Sequence, residues 1–390
     1  MNEVFVVEGR RTPFGSLGGV LAEVPAPELA AQVIRRLLND AALPGEAVDE
    51  VIIGQVLQGG SAQAPARQAM RRAGLPDSVH AMTINKVCGS GLKSIMLAAD
   101  AIRLGESQVA IAGGMESMSL APYALPAARF GQRLGNGQTV DLVIYDGLLD
   151  PYSGQHMGEI TEEWTVANGI GREEQDAYAA RSYTLAQAAT DGIFADELVA
   201  VVKQTRKGEV TIDRDEEPFR GNIDKLSTLR PAFGKDGSIT AGNASSISDG
   251  AALALLAGPE AIKRYDLRPR ARLVASASHS IAPHLFAEAP VGAIRACVQK
   301  ARLQLADVGL FEINEAFAAV PVLAMRQLEL PLEKVNVNGG AVALGHPIGA
   351  SGGRLAVSLI REMRRREVRY GVAALCIGGG EAVAALFERT

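Results

Sequence analysis

The sequence has few of the residues on which disulfide-bonded, metal-binding and membrane-spanning proteins depend. Among 390 residues there are three cysteines, five histidines and one tryptophan, and aromatic residues make up 5%. Three cysteines cannot all pair within one chain, and neither a CxxC nor a Cys/His metal spacing occurs, so we expect reduced thiols and no metal site. No apolar run approaches the roughly 20 residues that span a membrane.

The charge balance and the N-terminal stretch restrict the partners and the location further. A formal net charge of −5 argues against general binding of nucleic acid, and the basic run "REMRRREVRY" falls on the polar side of a predicted helix. The first residues, "MNEVFVVEGRRTPFG", are typical of a strand and a turn rather than of a leader peptide. We therefore expect a cytoplasmic protein with no nucleic-acid or membrane partner.

Apolar residues make up 47% of the chain, and their pattern predicts an α/β protein built from two similar units. Strands such as "VAIAG" and "VAALCIG" are continuous apolar runs, as expected for sheets covered on both faces. Helices, strands and glycine-containing stretches follow in the same order in each unit, and "IAGGMES" aligns with "CIGGGEA". This pattern predicts a duplication with α/β layers. Residues 120–248 interrupt it, and we expect this long insertion to contact substrate.

One cysteine lies in a setting that favours reactivity. In "TINKVCGSGLKSIML", apolar residues at helical spacing predict a helix from about Ser90 to Leu104, so Cys88 lies at or just before its N-terminus. Free N–H groups and the helix dipole favour a thiolate there and lower the thiol pKa. Gly89 and Gly91 would let a ligand approach the backbone. The alternative is a small buried apolar residue, as most lone cysteines are.

Three further residues lie at loop ends of the second unit. His346, in "GGAVALGHPIGASGG", occupies the place that Cys88 has in the first unit, so the two loops should meet and the histidine could activate the thiol. Cys376 ends a strand before three glycines whose N–H groups suit an oxyanion hole, although a buried strand cysteine is the alternative. Asn314 either holds a water or carbonyl oxygen or caps a helix. Cys297, within a helix, is predicted to be structural. Together they suggest carbon–carbon chemistry on a thioester.

The chain resembles the thiolase family over essentially its whole length. The matching motifs, in order, are "EGRRTPFGSLGG", "NKVCGSGLKS", "AGGMESMS", "GQHMG", "RPAFGKDGSITAGNAS", "NEAFA", "NVNGGAVALGHPIGASGGR" and "CIGGGEA". The resemblance implies that Cys88 accepts the acyl group, that His346 is its base and that Cys376 handles the α-proton of the second acyl-CoA. It also implies that Asn314 fixes an oxyanion-hole water and that the N–H groups of Cys88 and Gly378 form the other oxyanion hole.

The same resemblance implies a fold, a domain division and further site residues. Thiolases share a five-layered αβαβα core of two duplicated halves with an inserted loop domain. By analogy, 1–119 plus 249–269 would be the N-terminal half, 120–248 the loop domain covering coenzyme A, and 270–390 the C-terminal half. The substrate-binding residues implied are His156, Met157, Arg220, Phe233, Ala241, Ser245, Phe286, Ala316 and Phe317.

The implied activity is that of an acetyl-CoA C-acetyltransferase of the biosynthetic type, with acetyl-CoA, acetoacetyl-CoA and coenzyme A as substrates and no cofactor. Departures from the biosynthetic pattern concern the pocket: Phe286 and Ala287 stand where a Met-Gly pair is usual, and Ser246 replaces a glycine. The alternative is therefore a 3-ketoacyl-CoA thiolase of broader chain length in fatty-acid or branched-acid breakdown. A decarboxylating ketoacyl synthase and a non-catalytic, lipid-binding relative rank lower. Because residues 129–146 resemble the loop that joins dimers in tetrameric thiolases, we expect a homotetramer, with a homodimer as the alternative.

Overall fold

The computed structural model describes residues 2–206 and 208–390. The β-strands in these residues are β1 (Phe5–Arg11), β2 (Gly15–Ser16), β3 (Glu50–Gly54), β4 (His80–Ile84), β5 (Val109–Ser117), β6 (Tyr123–Ala124), β7 (Val140–Asp141), β8 (Val201–Thr205), β9 (Gly208–Ile212), β10 (Ser248–Ala257), β11 (Ala271–Ser280), β12 (Leu310–Ile313), β13 (Tyr370–Ile377) and β14 (Glu381–Arg389). The α-helices are α1 (Ala26–Asp40), α2 (Pro65–Arg72), α3 (Ser90–Leu104), α4 (Met157–Ala167), α5 (Arg172–Ala189), α6 (Ile193–Glu197), α7 (Pro259–Arg264), α8 (Ala289–Lys300), α9 (Ala319–Leu328), α10 (Ala341–Leu344) and α11 (Ser351–Arg365).

The main sheet consists of two halves that meet at a short seam. Its strand order is β12-β13-β14-β11-β1-β10-β5-β3-β4, with β2 beside β10. At the seam, β1 and β11 pair only through Phe5 with Arg272 and Val6 with Ala271. In each half, the strands away from the seam are parallel: β5, β3 and β4 in one, β13 and β12 in the other. Each half is therefore a small mixed sheet, as a duplication predicts.

Helices separate and cover the two half-sheets. On β14, Val383 and Phe387 pack into the cluster of buried residues that contains α3 and α11, whereas Ala384 and Leu386 pack into the cluster that contains α8 and α9. The first half-sheet likewise has α3 and α11 on one face and α1 and α2 on the other. The order is helices, sheet, helices, sheet, helices, which confirms the predicted five-layered core.

The central helices α3 and α11 begin close together because glycines line their contact. A methyl group built at Gly91 would lie 2.7 Å from the backbone nitrogen of Gly353 and 2.9 Å from the carbonyl oxygen of Gly349. Both distances are shorter than a side chain tolerates, so neither helix could start here with alanine at Gly91 unless the backbones moved apart. This approach brings the loop before α3 beside the loop before α11.

The aligned segments "IAGGMES" and "CIGGGEA" have different structures. Gly113 and Glu116 lie inside β5, which runs on into the insertion. In the second half, β13 stops at Ile377, and the following three glycines form a turn that leads directly into β14, with Gly379 and Gly380 at positive φ. The residue-for-residue alignment is therefore wrong at this point, because one strand continues where the other turns back.

The insertion leaves the core after β5 and returns as β10, which pairs with β5 from Asp249 opposite Ser117 to Ala257 opposite Val109. Between them lie the β6–β7 and β8–β9 pairs and helices α4 to α6. The domain boundaries at residues 119, 248 and 269 stay a prediction. Among the described residues, no helix is both long and apolar enough to cross a membrane.

Candidate active site

Loops of both halves and residues of the insertion border a cavity of about 310 Å³. All residues predicted for the site line this cavity except Asn314 and Arg220: Cys88, His156, Met157, Phe233, Ala241, Ser245, Phe286, Ala316, Phe317, His346, Cys376 and Gly378. Residues far apart in the chain thus meet around one space of ligand size.

Cys88 lies at the tip of a tight turn that leads into α3. The turn is closed by Ser90, whose hydroxyl accepts a hydrogen bond from the Lys86 N–H (2.8 Å) and donates one to the Val87 carbonyl (2.7 Å). Val87 has φ 45°, a left-handed conformation that is unfavourable for a β-branched residue. Such strain is typical of functional turns, and here it places the Cys88 side chain at the cavity.

The protein environment favours the protonated form of the Cys88 thiol. Burial raises its pKa to about 11, against the opposing effect of hydrogen bonds from the backbone N–H groups of Gly378 and Cys88 itself, and Glu116 raises it slightly further. The lowered pKa expected from the helix N-terminus is therefore wrong, because burial has the larger effect on the thiol. The two N–H groups nevertheless point at the sulfur, where the resemblance places an oxyanion hole.

His346 is held as a neutral base. Its Nδ1 lies 2.5 Å from Ser351 Oγ, and this hydroxyl donates to the Pro347 carbonyl, so Nδ1 is the protonated nitrogen. Nε2 is buried and has no hydrogen-bond partner among the described residues. Burial, and then the charge of Arg354, lowers the pKa of His346 to about 3. The imidazole is therefore neutral at pH 7, and the lone pair of Nε2 is not used by another group within the described residues.

Cys376 and Asn314 complete the polar groups near the cavity. Cys376 is almost fully buried and lines the cavity together with Cys88, and burial followed by the neighbouring Cys88 raises its pKa. Asn314 is fully buried just after β12, and neither its Nδ2 nor its Oδ1 has a partner within the described parts of the chain. A buried amide without partners is suited to binding a water or a ligand oxygen.

The insertion provides an aromatic wall. His156 caps α4 by accepting a hydrogen bond at Nδ1 from the Gly158 N–H (3.0 Å), and its ring stacks on Phe233 with centroids 5.0 Å apart. Phe233 meets Phe317 edge to face at 6.5 Å. A methyl group at Gly158 would overlap the Phe233 ring at 2.2 Å, so this stack depends on a glycine in the "HMG" segment.

The other residues that line the cavity are mostly apolar, with a few small polar side chains. The N–H and the hydroxyl of Ser245 each donate to the Ala316 carbonyl at 3.0 Å, which joins the end of the insertion to the "NEAFA" loop. Phe286 is 3% exposed and lines the cavity, as does Ser246, whose carbonyl accepts the His346 N–H (2.9 Å). The cavity is therefore shaped for a chain that is mostly apolar.

Comparison with known proteins agrees with this geometry. The families described as "Thiolase, N-terminal domain" and "Thiolase, C-terminal domain" match residues 4–260 and 267–389. The chain belongs to the thiolase family. A protein of Pseudomonas aeruginosa named acetyl-CoA acetyltransferase is 50% identical over 100% of both chains, and one of Chromobacterium violaceum with the same name is 49% identical over 99% of this chain and 100% of its own.

Two other relatives bear on substrate and structure. A protein of Staphylococcus aureus named probable acetyl-CoA acyltransferase is 46% identical over 100% of both chains. The crystal structure of the Bacillus anthracis acetyl-CoA acetyltransferase superposes with a TM-score of 0.98 at 43% identity, covering 100% of this chain and 99% of the other. The fold of this thiolase is thus the family fold.

Arg220 is the predicted site residue that lies away from the cavity. Its side chain is 54% exposed and forms ion pairs with Glu216 (3.8 Å) and Glu217 (3.4 Å). The role near the adenine-nucleotide end of coenzyme A stays a prediction, since the cavity does not extend to this surface. Among the described residues, no group of three or more His, Cys, Asp or Glu side chains could hold a metal ion.

Sequence reasoning missed Glu116 of this thiolase. This carboxylate lies fully buried in β5 and accepts hydrogen bonds from the N–H groups of Val56 (2.9 Å), Leu57 (3.2 Å) and Gly349 (2.9 Å). A methyl group at the preceding Gly114 would lie 1.8 Å from the Gly349 carbonyl oxygen, so β5 touches the His346 loop directly. The signal available in the sequence was a glutamate within an otherwise apolar strand.

Proposed function

We propose that this thiolase is an acetyl-CoA C-acetyltransferase, which joins two acetyl-CoA molecules into acetoacetyl-CoA and coenzyme A and catalyses the reverse thiolysis. The observation that carries the proposal is one cavity lined by Cys88, His346 and Cys376, in which Nε2 of His346 is buried without a partner among the described residues and the Gly378 N–H acts to lower the pKa of the Cys88 thiol. Relatives of this name at 49–50% identity over the full length support it.

In the first half-reaction, Cys88 attacks the carbonyl carbon of acetyl-CoA. Because the thiol pKa is raised and the imidazole is neutral, the proton passes from Sγ to Nε2 of His346 as the carbon–sulfur bond forms. The N–H groups of Cys88 and Gly378 stabilise the oxyanion of the tetrahedral intermediate. When the intermediate collapses, the proton on Nε2 goes to the leaving sulfur, coenzyme A departs as a thiol, and acetyl-Cys88 remains.

In the second half-reaction, Cys376 gives its thiol proton to Nε2 of His346 and, as a thiolate, removes a proton from the methyl group of a second acetyl-CoA. The resulting enolate attacks the carbonyl of acetyl-Cys88, and Cys88 leaves as a thiolate that takes up the proton held by Nε2. The free amide of Asn314 supports the enolate oxygen, through a water, as the resemblance implies. A thioester already acidifies its α-carbon, so neither a metal nor a cofactor is required by this sequence of steps.

Mass spectrometry of the intact protein tests the proposal. Incubation with acetyl-CoA alone should add one acetyl group, and this adduct should be lost in Cys88→Ala. Cys297→Ala is the matched control, since Cys297 is buried in α8 away from the cavity and its thiol donates to the Ala275 carbonyl. An adduct that persists in Cys88→Ala would contradict the assignment.

A second arm separates the two remaining catalytic groups. Cys376→Ser should still be acetylated but should lose solvent deuterium exchange into the acetyl methyl group, whereas His346→Ala should be acetylated slowly. Exchange at the wild-type rate in Cys376→Ser would show that another group is the base.

The second candidate is a 3-ketoacyl-CoA thiolase of broader chain length. The Staphylococcus aureus relative, named as a probable acyltransferase rather than an acetyltransferase, and the phenylalanine at position 286 favour it. Initial rates of thiolysis across a series of 3-ketoacyl-CoAs with free coenzyme A distinguish the two. The proposal also includes a cytoplasmic location and a homo-oligomer. A non-catalytic lipid-binding role is disfavoured because Cys88, His346 and Cys376 are all present.

A further inference from the structure

The buried carboxylate of Glu116 connects three separate parts of the chain. From β5 it accepts the N–H groups of Val56 and Leu57, which come after β3, and the N–H of Gly349, which lies in the other half of the molecule. One oxygen, Oε2, receives both Val56 and Gly349, and Oε1 receives Leu57. Within the described ranges, no lysine or arginine lies within ion-pair distance of it. Burial raises the pKa of Glu116 to about 7, and the three backbone N–H groups oppose this shift because they stabilise the charged form.

Gly349 is close enough to His346 for this bond to set the position of the imidazole. Only Pro347 and Ile348 lie between them, Pro347 has a fixed φ and Ile348 is 1% exposed, so the loop has little freedom. The far side of the ring is held by Ser351 at Nδ1. The imidazole is therefore supported at two points, Ser351 on α11 and the Glu116–Gly349 bond.

We propose that Glu116 is a positioning residue for catalysis: its carboxylate fixes the loop of residues 346–349 so that Nε2 of His346 faces the Cys88 thiol. This inference rests on the proposed function, in which Nε2 takes the thiol proton. A carboxylate is suited to the role because all its lone pairs accept, whereas an amide would present hydrogen atoms to at least one of the three N–H groups.

A double-mutant cycle tests whether Glu116 acts through His346. Glu116→Gln keeps the volume and removes the charge, and we expect it to lower the rate of Cys88 acetylation by about 10- to 100-fold, the effect of a small misplacement of a catalytic group. In a His346→Ala background the same substitution should lower the remaining rate by less than about threefold, because no imidazole is left to position. In steady-state kinetics the loss should fall on kcat rather than KM.

Glu162→Gln is the matched control. Glu162 is also buried and accepts hydrogen bonds from the N–H groups of Ser238 (2.6 Å) and Ile239 (2.8 Å), but it has no bond to the His346 loop. Any change that Glu162→Gln makes in the rate of Cys88 acetylation should be the same with and without His346. An equal loss for Glu116→Gln in both backgrounds would overturn the inference and leave Glu116 with a structural role only.

Two additional measurements keep the test decisive. If thermal unfolding shows that Glu116→Gln does not fold, Glu116→Asp is used in its place. Aspartate retains the charge but places it one methylene farther from the three N–H groups. We expect the same non-additivity between this variant and His346→Ala. If wild-type Cys88 takes no acetyl group, the proposed function fails, and the cycle is repeated with alkylation of Cys88 by iodoacetamide. Additive effects in that assay would overturn the inference separately.

Discussion

At the scale of single residues, burial decides the protonation of the catalytic pair. The pKa of His346 is lowered to about 3, whereas a histidine in an unfolded chain titrates near 6.5. Between these values the unfolded chain binds a proton that the folded protein does not, so His346 destabilises the fold progressively as the pH falls from 6.5 to 3. At neutral pH the same group has no such effect and is available as a base.

Replacing His346 by Asn should therefore weaken the acid sensitivity of the fold. We expect the free energy of unfolding of the wild type, relative to His346→Asn, to decrease between pH 7.5 and pH 4.5, because asparagine does not titrate. Urea unfolding at the two pH values measures this difference. His284→Asn is the control substitution, since His284 lies in an exposed turn outside the cavity. A pH-independent difference for His346→Asn would mean that the imidazole is not buried in the neutral form.

Phe286 is the residue through which we expect the cavity to select chain length. Its ring lines the cavity and is buried, as an inward orientation requires, and Ala287 beside it is small. A misfit of one or two methylenes in a pocket changes the ratio of kcat/KM between two substrates by about 10- to 200-fold. Acetoacetyl-CoA should therefore exceed 3-ketohexanoyl-CoA in kcat/KM by about this range, and Phe286→Ala should reduce the gap. Equal values in the wild type would favour the broader thiolase.

Residues with a recognisable local setting could be predicted, whereas those that depend on the assembled fold could not. Cys88, His346 and Cys376 each lie near glycines at a loop end, and this local setting is visible in the sequence around each residue. Glu116 has no such setting, because its partners Val56 and Gly349 are 60 and 233 residues away. The raised pKa of Cys88 likewise depends on walls contributed by several elements.

At the scale of elements, one buried ion pair joins α11 to β12. Arg354 Nη1 lies 2.7 Å from Glu312 Oε2, and both side chains are nearly inaccessible. The pKa of Glu312 is nevertheless raised to about 8, because burial outweighs the attraction of Arg354. The pair therefore holds two elements in register without a large net gain in stability.

Replacing one partner of this ion pair should lower the free energy of unfolding more than replacing both. Arg354→Met leaves Glu312 buried without a cation and should lower the free energy of unfolding by about 3–5 kcal/mol at pH 8.5. Arg354→Met with Glu312→Leu should recover most of this loss, because both charges are gone. Urea unfolding of the wild type, the single and the double variant measures the effect. A double variant no more stable than the single one would show that Arg354 acts through packing alone.

Helices with a strong apolar period were predicted closely, whereas the alignment between the strands of the two repeated units was not. The helix expected from Ser90 to Leu104 is α3, because the stripe of apolar residues and the terminal glycines define both ends. The end of β13 just before the three glycines was predicted, but its alignment with β5 is wrong, because "CIGGGEA" and "IAGGMES" have similar letters but different continuations. Whether a strand continues or turns back is decided by its partner strands, which a local pattern does not contain.

At the scale of the whole molecule, the duplication made the order of the layers predictable, but it does not predict which surface contacts another subunit. The five layers follow from two similar units whose strands are apolar on both faces. Which surface meets another subunit depends on exposed residues of the insertion. There the structure shows an unusual set of exposed large apolar side chains, within residues 120–152: Leu120, Tyr123, Leu125, Phe130, Leu134, Ile144, Tyr145 and Tyr152.

We expect this exposed segment to join subunits in a homotetramer. Phe130 is 86% and Leu134 99% exposed in the single chain, and contiguous exposed apolar residues mark interaction surfaces. Light scattering should give the mass of four subunits for the wild type and of two for Phe130→Glu with Leu134→Glu, because a charge at an apolar contact is costly to bury. Leu104→Glu is the control, since Leu104 is 73% exposed at the end of α3, outside the segment. Its mass should equal that of the wild type. A stable wild-type dimer would refute the tetramer and leave the proposed chemistry intact, because Cys88, His346 and Cys376 line one cavity within a single chain.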